Sequence, residues 1–129
     1  MKTAAKIISI LLFGAVCFAG GALTAGVRNW FDPIVHVAIA NDSGEDLAGL
    51  VLVHESAGRK SIMTLPAPRR GASTDARFVA AGEGSYRIEA TFADGRVVSS
   101  GGAYVEGGYS AREVIGRSTV TSALTHGLM

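Results

Sequence analysis

SYRIEATFADGR, residues 85–96, decides the fold. Tyr86, Ile88, Ala90 and Phe92 alternate with Arg87, Glu89 and Thr91, so an extended chain turns the four apolar residues to one face and the polar three to the other. Asp94-Gly95 follows at once. That pair after an alternating run is a strong hairpin signal, because both residues tolerate the positive backbone angles of a tight turn. Arg96 to Val105 is then the partner strand, preceded by the Gly82-Glu83-Gly84 turn and followed by Gly107-Gly108.

The same period of two extends outward in both directions. Ile34 to Ala40 places Val35, Val37 and Ile39 on one face, and Asn41-Asp42-Ser43-Gly44 turns the chain. Leu47 to Glu55 is apolar on both faces, with Leu50 and Leu52 against Val51 and Val53, the mark of a central strand. Ser56 to Gly58 leads into Lys60 to Leu65, where Ile62 and Met63 are candidates for burial. Pro66-Ala67-Pro68 interrupts pairing, since proline has no donor for the ladder. Thr74 to Ala81 resumes with Phe78 as its anchor, and Tyr109 to Val120 closes the series with Val114 turned inward. About seven strands with turns every eight to twelve residues give an all-β class: an antiparallel two-sheet sandwich, immunoglobulin-like in layout, with a small barrel as the alternative.

GEGSYRIEATFADGRVVSSGGAYVEGGY, residues 82–109, resembles the closing strands of immunoglobulin-like and transthyretin-like sandwich modules, as found in small bacterial envelope proteins with one N-terminal apolar segment. The resemblance covers about half of the β region and rests on turn and core residues. It implies a fold and brings no site with it. The cysteine pair and core tryptophan of antibody domains have no counterpart, because Cys17 and Trp30 both precede the domain.

Ahead of the strands, Ile7 to Val27 contains no charged side chain. A helix over such a run covers roughly 30 Å, the thickness of a bilayer's hydrocarbon core. Lys2 and Lys6 lie before it and Arg28 after, which favours the N-terminus in the cytoplasm, and Trp30 and Phe31 fit the interfacial belt. An uncleaved anchor is the favoured reading. A removed signal is the other, with Gly20-Gly21-Ala22 as its cleavage region. The expected organisation is an anchor or signal segment at 1–30, a β-sandwich at 31–122 and a flexible tail at 123–129. This places the protein in the inner (cytoplasmic) membrane as a single-pass chain, its C-terminal domain facing the periplasm.

The chain has 129 residues and room for one such domain. Taking Lys2, Lys6 and Arg28 from the 12 basic residues and Asp32 from the 11 acidic ones leaves residues 33–129 at about −1. No electrostatic footprint for nucleic acid exists in so neutral a module. Arg69-Arg70 is read as two solvated loop residues. The lone Cys17 leaves the exported domain without a disulfide, and Val16 before it does not suit lipid attachment.

Chemistry-bearing patterns are few. His36 and His54 fall on the first two strands, where a hairpin would set two imidazoles side by side for copper or zinc, with Glu55 nearby. Asp42, Glu45 and Asp46 cluster as calcium ligands do, without the spacing of an EF-hand loop. Asn41-Asp42-Ser43 fits a glycosylation acceptor. Small-xxx-small pairs such as Ala15 and Ala19 recur in the apolar run, as Ala- and Gly-rich spans produce by chance. No nucleophile motif is present, and no catalytic or cofactor-binding residue is assigned. The expectation is a non-enzymatic module that anchors through Ile7–Val27 and meets an unidentified envelope protein. Periplasmic metal capture through His36 and His54 is the alternative.

Overall fold

The computed structural model describes residues 2–27 and 33–126. Its first element is a helix, α1 (Lys2–Val27). From Lys6 to Val27 this helix is long and apolar enough to cross a membrane. Within it the Thr24 hydroxyl donates to the Gly20 carbonyl oxygen at 2.8 Å, satisfying a polar group that lipid cannot. The interfacial belt expected at Trp30 and Phe31, and the flanking Arg28, lie outside the described residues.

Among the described residues nine strands follow: β1 (Ile34–Asn41), β2 (Leu47–Ser56), β3 (Arg59–Leu65), β4 (Ser73–Val79), β5 (Gly84–Phe92), β6 (Val97–Ser99), β7 (Ala103–Val105), β8 (Tyr109–Ile115) and β9 (Val120–His126). They form the expected two-sheet sandwich. One sheet has the order β4-β1-β8-β9; the other has β3-β2-β5-β6, with β7 also paired to β5. Tyr86, Ile88, Ala90 and Phe92 point between the sheets and share one core with Val35, Val37 and Ile39 of β1. Burying each large apolar side chain stabilises by roughly 1.5–3 kcal/mol, so this alternation is the main source of the fold. β2 is central, between β3 and β5, with Leu50 and Leu52 turned inward and Val53 buried on the outer side.

The turns follow from their residues. At Asp94-Gly95 the Phe92 N–H donates to the Arg96 carbonyl at 2.9 Å, and Gly95 takes φ +84°. Gly84 opens β5 so close to β2 that a Cβ there would lie 2.6 Å from the Glu55 carbonyl oxygen. Ala57-Gly58 joins β2 to β3 with both residues at positive φ, and Ala57 bears the strain of a side chain in that region.

Four features differ from expectation. The segment 96–105 is two strands, because Ser100 turns inward: its hydroxyl accepts from the Ile88 N–H at 2.9 Å, and pairing resumes only at Ala103. The segment 109–120 is also two strands, folded at Gly116–Thr119, and β9 carries ordered pairing on to His126, where a flexible tail was expected from residue 123. β1 and β8 run parallel, His36 opposite Ser110, because β8 enters this sheet by a crossing from β7 in the other sheet, not by a hairpin. Lastly, Val114 is turned outward. Ala111, Glu113 and Ile115 are the buried members of β8, and Ile62 on β3 is 67% exposed.

Candidate functional site

Glu113 is the least expected residue of the core. β8 turns it inward with no accessible surface at all. The Tyr86 hydroxyl, from the opposite sheet, donates to its Oε1 at 2.5 Å, and the Ser122 hydroxyl on β9 donates to its Oε2 at 2.7 Å. A buried carboxylate needs such partners, and a buried tyrosine needs an acceptor, so the two sites satisfy one another. Burial first, and then the hydrogen bond and charge of Glu113, push the Tyr86 phenol above its ordinary range. The alternation Tyr109, Ala111, Glu113, Ile115 carried this signal, since three apolar residues on that parity outweigh Val114 on the other.

His54 continues the same interior face. Its ring stacks on Phe78 with centroids 4.5 Å apart, and Phe78 tilts against Tyr86 at 5.9 Å. Its Nδ1 is buried and meets no hydrogen-bond partner among the described residues. Burial lowers its pKa. His36 stands elsewhere. β1 alternates Val35 and Val37 inward with His36 outward, opposite Arg77 on β4 and Ser110 on β8. The hairpin that would bring the two histidines together does not form, because β1 and β2 belong to different sheets. One imidazole faces between the sheets and the other faces away. Among the described residues no group of three or more His, Cys, Asp or Glu is placed to hold a metal.

The loops at the Asn41 end form a second polar cluster, held together by its own side chains and backbone. Asn41 is buried; its amide donates to the carbonyls of Glu45 at 2.8 Å and Pro68 at 2.9 Å, and its Oδ1 accepts from the Ser43 hydroxyl at 2.6 Å. These bonds turn the chain from one sheet to the other, and they close the glycosylation pattern, since the acceptor amide is occupied inside the fold. Arg96 grips both oxygens of Glu45 at 3.0 and 3.1 Å and lies over the Phe92 ring at 4.1 Å. Asp46 accepts from the Arg70 backbone N–H at 2.9 Å. Two of the three carboxylates of the β1–β2 turn, Glu45 and Asp46, are thus engaged by arginine and by backbone. Arg69 and Arg70 are exposed, as expected of solvated loop residues.

What the surface offers is a face and an edge. On the outer face of the β4-β1-β8-β9 sheet, Ala38 and Ala40 lower the middle of a groove of about 490 Å³, walled by Ser73, Asp42, Arg112 and Val114. The edges differ more sharply. β3 carries Arg59 and Lys60, and β4 carries Asp75 and Arg77. β6 and β7 are three residues each and broken between Ser99 and Ala103. Charge and shortness are two ways in which sheets blunt an edge.

β9, VTSALTH, has neither protection: it is seven residues long and contains no Lys, Arg, Asp or Glu. The Gly116 N–H bonds the Thr119 carbonyl at 2.9 Å, and hydrogen-bonded pairs alternate along an antiparallel ladder. Thr121 and Ala123 therefore bond β8, while the backbone groups of Val120, Ser122 and Leu124 face the open side. Leu124 is 41% exposed there. The sequence reading missed this edge because it placed residues 123–129 in a tail.

No protein-family model matches the chain, and no curated protein matches it. Among solved structures the chain is similar to a protein from Eubacterium rectale, determined by NMR: TM-score 0.51 at 13% sequence identity, covering 75% of this chain and 93% of that one. At that identity the likeness shows the fold alone.

Proposed function

We propose that this chain is a membrane-anchored β-sandwich module of the cell envelope, facing the extracytoplasmic side, that works by protein–protein contact through addition of a partner strand to β9. The observation that carries the reading is the β9 edge: seven residues, no charge, and backbone groups of Val120, Ser122 and Leu124 turned outward. Main-chain hydrogen bonds supply the affinity in strand addition, and side-chain pockets supply the specificity. Anchoring by α1 raises the local concentration of the module around membrane partners, so a contact of modest strength suffices.

The test is site-specific photo-cross-linking in intact cells, with the reactive residue at Thr121 of β9 or at Ile62 of β3. The expected result is one defined adduct from Thr121, absent from Ile62 and abolished by Leu124→Pro. That change removes an outward N–H without breaking the β8 ladder. Leu124→Lys, an inward-pointing edge charge, blocks the same contact by a second route. Adducts that form equally from both strands, or none above background, contradict the reading.

A further inference from the structure

We propose that the end of the sandwich where β1 begins rests on the bilayer surface, with Val79 and Tyr104 seated in the lipid interface; this rests on the reading of α1 as a retained anchor. Residues 28–33 join Val27 to Ile34, and the seven Cα-to-Cα steps between them reach at most roughly 25 Å when fully extended. Trp30 among them is a residue that favours the interface, which shortens the usable reach further.

The structure ties a definite set of elements to that end. The Ala80 N–H donates to the Pro33 carbonyl at 2.8 Å, and the Gly108 N–H donates to the Ile34 carbonyl at 3.0 Å. The end of β4 and the β7–β8 turn therefore stand beside the first residue of β1. Two large apolar side chains lie open there: Val79 is 58% exposed and Tyr104 47%. Tyr104 meets Tyr109 edge to face with centroids 6.4 Å apart, and its hydroxyl donates to Glu106. An apolar ring with a polar tip suits the headgroup region. Val79 and Tyr104 belong to different sheets, so both reach lipid only if the domain stands end-on.

The far end is built differently. Its connections, residues 42–46, 66–72, 93–96 and 116–119, contain no Val, Ile, Leu, Met, Phe, Tyr or Trp and carry Asp42, Arg69 and Arg70; beside them Val97, 57% exposed at the start of β6, stands apart from any second large apolar side chain of comparable exposure. Near the membrane Arg59 and Lys60 meet Glu55, Glu83 and Glu106, so the surface fitted is zwitterionic lipid, with no demand for anionic headgroups.

The experiment uses the full chain in phosphatidylcholine vesicles, with Cys17→Ser to clear the span of thiols. An environment-sensitive fluorophore is attached at Ala81→Cys near the proposed contact, or at Ala93→Cys at the far end. The expected result is loss of emission to a headgroup-located lipid quencher at position 81 only, and loss to aqueous iodide at position 93. Val79→Ser with Tyr104→Ser should abolish the lipid quenching at position 81. A chain that floats with the vesicles yet shows only iodide quenching at position 81, or equal lipid quenching at both positions, overturns the proposal and leaves the anchor standing. A chain that does not float with the vesicles overturns both.

Discussion

Glu113 and Glu45 each accept two hydrogen bonds, yet one lies between the sheets and the other at the rim. Glu113 has no accessible surface and is held by the hydroxyls of Tyr86 and Ser122. Glu45 is held by a guanidinium, which is the stronger donor in isolation, but both side chains of that pair are more than a third exposed. Water screens the rim pair and competes for it. Between the sheets nothing replaces a lost partner. Burial, more than partner strength, should therefore rank these contacts.

Removing the interior carboxylate is the harshest test. Glu113→Ala leaves two hydroxyls without their acceptor and opens a cavity, at an expected cost of about 3–5 kcal/mol in thermal unfolding of the full chain in detergent. Tyr86→Phe keeps the ring packing and removes one donor from the carboxylate, costing about 1.5–3 kcal/mol in the same measurement. If either variant unfolds with the parent chain, Glu113 is not the buried anchor described. At the surface turn the sign reverses. Ala57→Gly relieves a side chain held at φ +49° and should stabilise by about 1 kcal/mol.

His54 gives a smaller effect that depends on pH. Burial lowers its pKa below the ordinary 6.5, so the fold favours the neutral ring. That contribution is complete above about pH 6.5 and is lost as pH falls through the lowered value. The unfolding midpoint should drop on acidification from about pH 6.5 down to the lowered value, and His54→Phe should flatten this part of the profile. Glu45→Gln comes last: no resolvable change in midpoint is expected, and whatever the pair contributes should vanish in high salt. A loss at Glu45 as large as that at Tyr86 would break the contrast between interior and rim.

Much of this was legible in the chain because a half-buried strand writes its inner face as alternation. Tyr86, Ile88, Ala90 and Phe92 announced themselves that way, and Phe78 and the two-faced β2 likewise. Sheet membership was not legible. Nothing local in IVHVAIA and LAGLVLVHES tells whether consecutive strands pair or cross between layers, and that choice separates His36 from His54. Contacts that accompany the crossing are long-range, among them the Asn41 amide on the Pro68 carbonyl. β9 was missed for a related reason. Thr121, Ser122, Ala123 and Thr125 show weak contrast between faces, so the strand is defined by its pairing with β8 more than by its own pattern.

Ser122 is where the interior meets the edge: its hydroxyl turns in to Glu113 while its backbone turns out to the open side of β9. Amide hydrogen exchange on the full chain in nanodiscs tests that edge most directly. An open β9 edge requires fast exchange at Val120, Ser122 and Leu124 and slow exchange at Thr121 and Ala123. Uniform protection along β9 would mean the edge is already covered, and would contradict it.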